Sequence, residues 1–188
     1  MIAKRKPKPR DRERTRERIL QAARRSFATR GYAQSGMREI AAAAGITPAL
    51  VVRYFGSKQK LFTAAVCEDL GIAPFVSAER SQMGRHVVEH LVQKPPPEAD
   101  DLAILLLAAS DPSVSGLVRR LTQERLMAPL VAWLGGAHAE SRAAQLLAVV
   151  SGAWIYRHLL PVAPLAEADR ATMASLAAII QSLVDGKR

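Results

Sequence analysis

The sequence predicts an all-α protein: an N-terminal three-helix, helix-turn-helix domain and a larger C-terminal helical domain, about nine helices in all. Three observations predict this class. Apolar residues recur every three or four positions through most of the chain, which is the period of an amphipathic helix. Glycine and proline separate these segments, where they end one helix and begin the next. The basic residues are concentrated at the end of the chain that carries the two shortest helical segments.

The charge distribution points to a polyanionic partner. The 188 residues carry a formal net charge of +10, but residues 1–62 hold 16 Lys or Arg against 4 Asp or Glu, and residues 63–188 hold 11 against 13. A positive excess confined to one end of a chain is typical of nucleic-acid binding. The alternative is a basic surface that simply faces solvent, since runs of charge usually do.

Residues 1–11 form a basic tail that we expect to be disordered away from DNA, where Lys4, Arg5, Lys6, Lys8 and Arg10 could bind phosphates. The next helix begins between Asp11 and Thr15 and ends at Gly31. We place the DNA-binding domain at 12–60 and the remaining helical domain at 61–188. Along the first helix the apolar stripe and the outward cations separate, with Ile19, Leu20, Ala22, Ala23 and Phe27 inward and Arg16, Arg18, Arg24 and Arg25 outward.

Two short helices follow between Ser35 and Phe62. Ser35 or Gly36 caps the first, and Gly45 ends it because glycine adopts the left-handed conformation without a Cβ clash. Thr47 caps the second helix and Pro48 fits its first turn, while Gly56 ends it and Ser57 caps the helix after it. Helices this short must pack on each other and on a third element.

The apolar spacing of this segment predicts which side faces outward. Ile40, Ala44, Ile46 and Val51 fall at inward positions, and Ala49, Leu50 and Arg53 lie on the outer face of the second helix. Such a helix could enter the major groove of DNA. An ordinary helical hairpin without DNA-binding activity is the alternative.

Three stretches, residues 19–32, 37–47 and 53–62, together resemble the N-terminal domain of tetracycline-repressor-type (TetR family) regulators. The resemblance covers roughly residues 12–65 and includes the Phe-x-Ser-Lys-x-x-Leu entry to the fourth helix. It implies a dimeric, ligand-responsive transcriptional regulator, most often a repressor, that binds a near-palindromic operator. The C-terminal two thirds carry no motif of this kind.

The resemblance also implies DNA contacts at individual positions. Thr47 and Lys58 would meet backbone phosphates, and Arg53 is the best candidate for a guanine contact. The chain departs from the family pattern at Val52, where an aromatic is usual, and at Tyr54, where His is common and where a half-buried packing role is the alternative. The full set of expected DNA-binding residues is Ser35, Arg38, Thr47, Pro48, Ala49, Leu50, Arg53, Tyr54 and Lys58.

The rest of the chain predicts further helices. We expect them at residues 57–71, 74–93, 98–110, 113–134, 138–160 and 166–184, with an extended break at Lys94–Pro97 and a kink or split at Pro129. The helix at 98–110 is apolar on nearly every side, so we expect it inside the C-terminal domain. Cys67 lies in an apolar helical run, where a buried small hydrophobe is expected rather than a nucleophile.

An effector pocket and a dimer interface are expected in the C-terminal region. The pocket would be apolar, lined by bulky residues, and would take an uncharged or weakly polar molecule: Phe75, Met83, Leu105, Leu106, Leu126, Met127, Trp133 and Trp154. The last two helices would pair with their copies in a four-helix interface through Leu146, Val150, Ala153, Leu176, Ile180 and Leu183. A wide core within one chain is the alternative for these two helices.

Two other classes of protein remain as alternatives. An architectural DNA binder would share the charge asymmetry without needing an effector. A metal-dependent helical enzyme could use His86, Glu89 and His90, which form an H-x-x-E-H string, although no third ligand is evident. We therefore expect no enzyme activity, no cofactor and no resident metal. The longest runs without charge or His are 14 residues, too short to cross a bilayer, so we expect a cytoplasmic protein, nucleoid-associated when bound to DNA.

Overall fold

The computed structural model describes residues 9–67, 70–76, 79–93 and 100–186, and these residues form helices without any β-strand. The all-α prediction is confirmed. In chain order the α-helices are α1 (Pro9–Gln34), α2 (Met37–Ala43), α3 (Pro48–Phe55), α4 (Lys58–Cys67), α5 (Ala73–Val76), α6 (Met83–Gln93), α7 (Asp101–Ala109), α8 (Ser115–Leu121), α9 (Ala128–Leu134), α10 (Ala139–Trp154), α11 (Ala163–Ala166) and α12 (Arg170–Asp185). A 3₁₀ turn at Arg80–Gln82 precedes α6.

Two π-helical segments join or extend these helices. Thr122–Met127 connects α8 to α9, so that residues 115–134 run as one helix, and Ile155–Leu159 extends α10. The first π segment lies directly before Pro129, where the sequence predicted a kink. Since proline lacks an N–H and crowds the preceding turn, the wider π turn accommodates it without ending the helix.

Several helix limits differ from the prediction. The segment expected as one helix at 74–93 contains most of α5, the 3₁₀ turn and α6. The helix expected at 166–184 begins later, as α12 at Arg170, and the one-turn α11 precedes it. Helix α1 starts earlier than expected, at Pro9, and is interrupted at Gly31, whose φ of 72° and ψ of 176° are not helical. The basic residues of 1–8, the break at 94–97 and the side chain of Cys67 lie outside the described residues.

The chain divides into two compact units, and the first comprises the described residues of 1–69 and 97–118. In this unit α1 is central: it packs against α2, α4 and α7, while α2 packs on α3 and α3 on α4. The core is formed by apolar side chains from all of these helices: Ile19, Leu20, Ala23, Phe27, Ile40, Ala41, Val51, Leu61, Phe62, Val66, Ala103, Ile104 and Ala108.

An aromatic cluster fixes the contact between α1 and α4. The ring of Phe62 meets those of Phe27 and Tyr32 edge-on, at 5.2 Å between centroids in both cases. Phe27 and Tyr32 stack at 5.9 Å. Such pairs add specific geometry to the burial of large apolar surfaces. The cluster therefore anchors the start of α4 and the end of α1 to each other.

Helix α7, which the sequence predicts inside the C-terminal domain, packs against α1 and α4 in the first unit. Its apolar circumference is used against the DNA-binding helices instead. Arg24 of α1, expected to face outward, is buried and forms an ion pair with Asp101 of α7 at 2.8 Å. The same guanidinium donates to the carbonyl oxygen of Ala65 at 3.1 Å, so Arg24 ties α1, α4 and α7 together.

The second unit comprises the described residues of 70–96 and 119–188. Here α12 packs on α6 and α10, and α9 packs on α10. Helices α6 and α12 cross very closely at Gly84, where an added Cβ would lie 2.1 Å from the carbonyl oxygen of Ala177. Gly84 therefore permits a backbone approach that any larger residue would prevent.

Arginine side chains close several helix ends in the second unit. Arg80 donates to the carbonyl oxygens of Trp133, Leu134 and Val184, and its guanidinium lies 4.8 Å from the Trp133 ring centroid. Arg142 donates to carbonyls of Leu183, Val184 and Gly135. Carbonyl groups in the last turn of a helix lack hydrogen-bond donors within the helix and form the negative end of its dipole. A guanidinium donates hydrogen bonds to these groups and also offsets their negative charge.

Candidate nucleic-acid interface

Helices α2 and α3 form a helix-turn-helix, and the local sequence explains each of its corners. Gly36, rather than Ser35, occupies the N-cap of α2, where its N–H donates to the Glu39 carboxylate at 3.4 Å. Gly45 takes the left-handed conformation with φ of 64°. Arg18 of α1 donates to the carbonyl oxygen of Ala44 and to that of Gly45 at 3.5 Å, which fastens the turn to the supporting helix.

One face of α3 is buried and the opposite face is exposed. Val51 and Phe55 are buried against the unit core, as their four-residue spacing requires. Ala49, Val52 and Arg53 are exposed and share the opposite face, since they are three and four positions apart. An exposed helix face that ends in a guanidinium is suited to a DNA groove.

The outward positions of α3 were predicted correctly for Ala49 and Arg53 and less well for their neighbours. Leu50 is half-buried, although an exposed side chain was expected. Tyr54 is half-buried beside Phe55, with ring centroids 6.4 Å apart. Val52, which sequence reasoning treated only as a missing aromatic contact, is 49% exposed on the outer face. Its position three residues after Ala49 was the signal that could have placed it there.

The start of α3 and the exposed face of α2 supply further polar positions. Thr47 occupies the N-cap of α3, but its side chain makes no capping hydrogen bond. Pro48 is exposed at the first helical position, and Arg38 is exposed in the first turn of α2. These three residues remain candidates for contact with the phosphate backbone.

The sequence predicts that Ser35 contacts DNA, but in the DNA-free structure the residue is buried. Its side chain is 0% exposed, and its hydroxyl donates to the carbonyl oxygen of Gly31 at 2.7 Å and accepts from the Ser26 hydroxyl at 2.9 Å. Ser35 instead closes the non-helical step at Gly31 in front of α2. A buried serine satisfied in this way has no hydroxyl exposed to a phosphate.

Lys58 begins α4 and lies against the end of α1. Its ammonium donates to the carbonyl oxygen of Ala33 at 3.1 Å and sits 4.3 Å from the centroid of the Tyr32 ring. Partial burial lowers the pKa of Lys58, while the nearby Asp111 carboxylate raises it. The expected phosphate ligand is thus engaged with the protein when DNA is absent.

The H-x-x-E-H string lies on α6, where His86 and His90 both approach Phe75. The Phe75 ring centroid is 5.0 Å from that of His90 and 6.5 Å from that of His86, edge-on in both cases. Glu89 is exposed. In the described part of the chain, no three His, Cys, Asp or Glu side chains are grouped as a metal site would require.

The residues expected to line an effector pocket fall in different units. Leu105 and Leu106 lie on α7 in the first unit, whereas the other six lie in the second: Phe75, Met83, Leu126, Met127, Trp133 and Trp154. Leu126 and Met127 are half-buried in the π segment before α9. Trp154 is buried at the end of α10, with its ring 5.6 Å from that of His158.

The expected dimer contacts are only partly at the surface. Ile180 is 0% exposed, and Leu146 and Ala153, at 5% and 8%, are also buried within their own unit. They form the core between α10, α12 and their neighbours. Val150, Leu176 and Leu183 are half-buried, and Ile179 is 49% exposed on α12.

None of the helices formed by the described residues is both apolar and long enough to traverse a bilayer.

Comparison with known families agrees with this arrangement. The family model described as bacterial regulatory proteins of the tetR family matches residues 19–65. The model described as the tetracyclin repressor-like C-terminal domain matches residues 81–184, more than half of the chain. The chain belongs to the TetR family. The first match contains the helix-turn-helix and most of α4, and the second contains almost all of helices α6–α12.

Individual TetR-family relatives match in sequence or in fold. The chain is 40% identical over 55 residues to the HTH-type transcriptional repressor AcnR of Corynebacterium efficiens, a match that covers 29% of each protein. The chain spans less than a third of the length of the curated relatives it matches.

Solved structures match over nearly the whole chain. A TetR-family regulator from Streptomyces coelicolor A3 is 26% identical, with a TM-score of 0.58 over 97% of this chain and 99% of that one. A regulator from Saccharomonospora viridis, solved in complex with choline, is 18% identical with a TM-score of 0.63 over 93% and 97%.

Proposed function

We propose that this TetR-family chain is a ligand-responsive transcriptional repressor that binds a near-palindromic operator as a dimer. The observation that carries the proposal is the exposed face of α3, where Ala49, Val52 and Arg53 stand on a helix held firmly from behind. A rigid recognition helix with an exposed arginine can read base edges in the major groove.

Phosphate contacts would set the position of this helix on the duplex. Arg38 and Thr47 are exposed at the first turn of α2 and the N-cap of α3, and Lys58 begins α4. Helix N-termini favour phosphate because their first N–H groups lack partners within the helix. These contacts would give affinity without sequence preference, while Arg53 and its neighbours on α3 would supply the preference.

Dimer formation would use the outer faces of α10 and α12, which pack on each other in the second unit. Ile179 is the large exposed hydrophobe of α12, and Val150, Leu176 and Leu183 are half-exposed on these two helices. Two copies related by a two-fold axis would present their recognition helices about 34–36 Å apart on DNA.

A small, weakly polar effector would bind in the second unit, where Phe75, Met83, Leu126, Met127, Trp133 and Trp154 remain the candidate lining. The related Saccharomonospora viridis regulator was solved with choline, which supports a small molecule as the class of effector. Release from the operator requires the effector to bind the non-operator state more tightly, by a coupling of about 1–3 kcal/mol.

Selection of binding sites from random duplexes tests the proposal, with affinities then measured by fluorescence anisotropy at fixed salt. We expect one palindromic sequence to be enriched. Arg53→Ala should weaken binding to that sequence by about 1–3 kcal/mol and relax selection at one base pair in each half-site. Arg85→Ala, which removes an exposed arginine from α6, is the matched charge control and should change little.

An architectural DNA binder is the second candidate, favoured by the basic N-terminal region alone. It would enrich no sequence in the same selection and would protect DNA uniformly in footprinting. A protein that stays monomeric at micromolar concentration and shows no preference among duplexes would contradict the proposed repressor.

A further inference from the structure

The start of α4 lies on the aromatic cluster at the end of α1. Lys58 and Phe62 are four residues apart on α4, so their side chains leave the helix on the same side. Phe62 meets the Tyr32 ring edge-on at 5.2 Å between centroids, and the Lys58 ammonium lies 4.3 Å from the centroid of the same ring. Tyr32 therefore contacts two successive turns of α4.

The Tyr32 ring is held in place by its neighbours. It is 9% exposed, stacks on Phe27 at 5.9 Å and packs edge-on against Phe62. Phe27 and Phe62 are both 0% exposed, so the three rings are packed into the core of the first unit. A side chain that rests on a ring fixed in this way loses rotational freedom before any DNA is bound.

Lys58 is held against this ring by a second contact. Its ammonium donates to the carbonyl oxygen of Ala33, the residue after Tyr32, at 3.1 Å. An ammonium has three N–H donors and the Ala33 carbonyl accepts from one, so donors are available to a phosphate oxygen. The next two residues of α4, Gln59 and Lys60, are exposed, so this turn of the helix faces solvent. The ammonium is therefore fixed at a surface that a duplex can approach.

We propose that Tyr32 is a positioning residue for DNA binding, because its ring holds the Lys58 ammonium at the start of α4 for contact with an operator phosphate. The proposal rests on the phosphate contact of Lys58 proposed above. A long, flexible lysine side chain must be ordered when it binds a phosphate, and this ordering costs free energy. In this protein Tyr32 and Ala33 order the side chain beforehand, which lowers that cost and raises the affinity for DNA.

Replacement of Tyr32 in the full chain tests the proposal. Tyr32→Leu keeps apolar volume in the cluster but removes the aromatic face. We expect its affinity for the selected operator duplex, measured by fluorescence anisotropy, to fall about three- to tenfold. Tyr32→Phe keeps the ring and should stay within about twofold of the wild type. An unchanged affinity in Tyr32→Leu, or an equal loss in the two variants, would overturn the proposal.

The matched control is Phe27→Leu, which makes the same kind of change in the same cluster. Phe27 packs on the Tyr32 and Phe62 rings. We expect this variant to lower the melting temperature at least as much as Tyr32→Leu does, because Phe27 is the more deeply buried ring. Its operator affinity should stay within about twofold of the wild type at a temperature where both variants are folded. A loss of affinity equal to that of Tyr32→Leu would assign the effect to packing and overturn the proposal.

Salt dependence separates positioning from the loss of a phosphate contact. Lys58→Gln removes the ammonium, so the logarithm of the association constant should depend less steeply on the logarithm of salt concentration, by about 0.9 in slope. Tyr32→Leu keeps the ammonium, so its slope should equal that of the wild type although its affinity is lower. In the Lys58→Gln background, Tyr32→Leu should have no further effect. A shallower slope in Tyr32→Leu, or an undiminished effect in that background, would overturn the proposal.

The DNA-free protein provides a second measurement by NMR. The Lys58 ε-methylene group is bonded to the nitrogen that lies over the Tyr32 ring, so the ring current should shift its proton resonances upfield. These resonances should return toward those of a solvated lysine in Tyr32→Leu and stay upfield in Tyr32→Phe. Wild-type resonances at the position of a solvated lysine would overturn the proposal. A wild type that binds no duplex would instead contradict the proposed repressor, so the two failures are distinguishable.

Discussion

The buried ion pair between Arg24 and Asp101 gives the sharpest test of how the first unit is held together. Arg24→Met removes the guanidinium but keeps most of the aliphatic stem, and it removes the 2.8 Å ion pair with Asp101. The two side chains are only 11% and 13% exposed, so the carboxylate cannot be fully rehydrated in the folded protein. The variant also loses the hydrogen bond to the carbonyl oxygen of Ala65.

The expected cost is about 3 kcal/mol of unfolding free energy. Removing one partner of a buried pair costs about 3–5 kcal/mol, and the lower value applies because Asp101 keeps a favourable place in the first turn of α7. For a protein of this length, that loss corresponds to a melting temperature lower by about 6–12 °C. Urea unfolding followed by circular dichroism measures the first quantity, and a thermal scan measures the second.

Arg30→Met is the matched control, since it makes the same substitution on the same helix. Arg30 pairs with Glu39 at 3.1 Å, but both side chains are more than half exposed, and such pairs contribute less than about 1 kcal/mol. The double variant Arg24→Met/Asp101→Leu should recover most of the loss, because the buried carboxylate is removed together with the guanidinium. Equal losses for the Arg24 and Arg30 variants would refute the reasoning.

Three further predictions concern the helix-turn-helix and the N-cap of α12. Val52→Ala should reduce the affinity difference between operators that contain thymine and the same operators with deoxyuridine, since an exposed apolar side chain on a recognition helix can contact a thymine methyl; an undiminished difference would contradict it. Gly45→Ala should lower stability by about 1–2 kcal/mol in urea unfolding, because φ is 64° and the new Cβ would lie 2.8 Å from Arg18 Nη2; a neutral result would show that the turn relaxes. The backbone N–H and then the hydroxyl of Thr172 lower the pKa of Asp169, so its contribution to stability is complete above its ordinary pKa and is lost as the pH falls. Asp169→Asn should therefore flatten the decline in stability between about pH 5 and pH 3, and parallel curves would argue against this assignment.

Local signals were sufficient to predict the helix-turn-helix. Glycine at Gly45 and Gly56 and proline at Pro48 specify their own backbone conformations, so the turns and helix starts follow from residue type. The buried positions Ile40 and Val51 follow from helical period. The conformation of these turns and the burial of these positions depend on residues nearby in sequence, so they can be predicted without the rest of the chain.

Positions decided by distant packing could not be predicted in this way. Arg24 lies on α1 where an exposed cation was expected, and its burial is favoured by Asp101 of α7 and the Ala65 carbonyl oxygen of α4, which are distant in sequence. Helix α7 is apolar on nearly every side, and its sequence alone does not say which neighbours cover it. Ile180 has the character of an interface residue and of a core residue alike, and packing within the second unit decides in favour of the core.

The place of α7 has a consequence for engineering chimeric regulators. A DNA-binding fragment that ends at residue 69 would lose Ala103, Ile104 and Ala108, which are fully buried in the first unit. It would therefore expose the apolar surface of α1 and α4 that these residues cover. Exposed patches of this kind promote aggregation. A ligand-binding domain from another protein should therefore be grafted so that α7 stays with the helix-turn-helix of this chain. This holds even though residues 70–96, which separate the two in sequence, belong to the second unit.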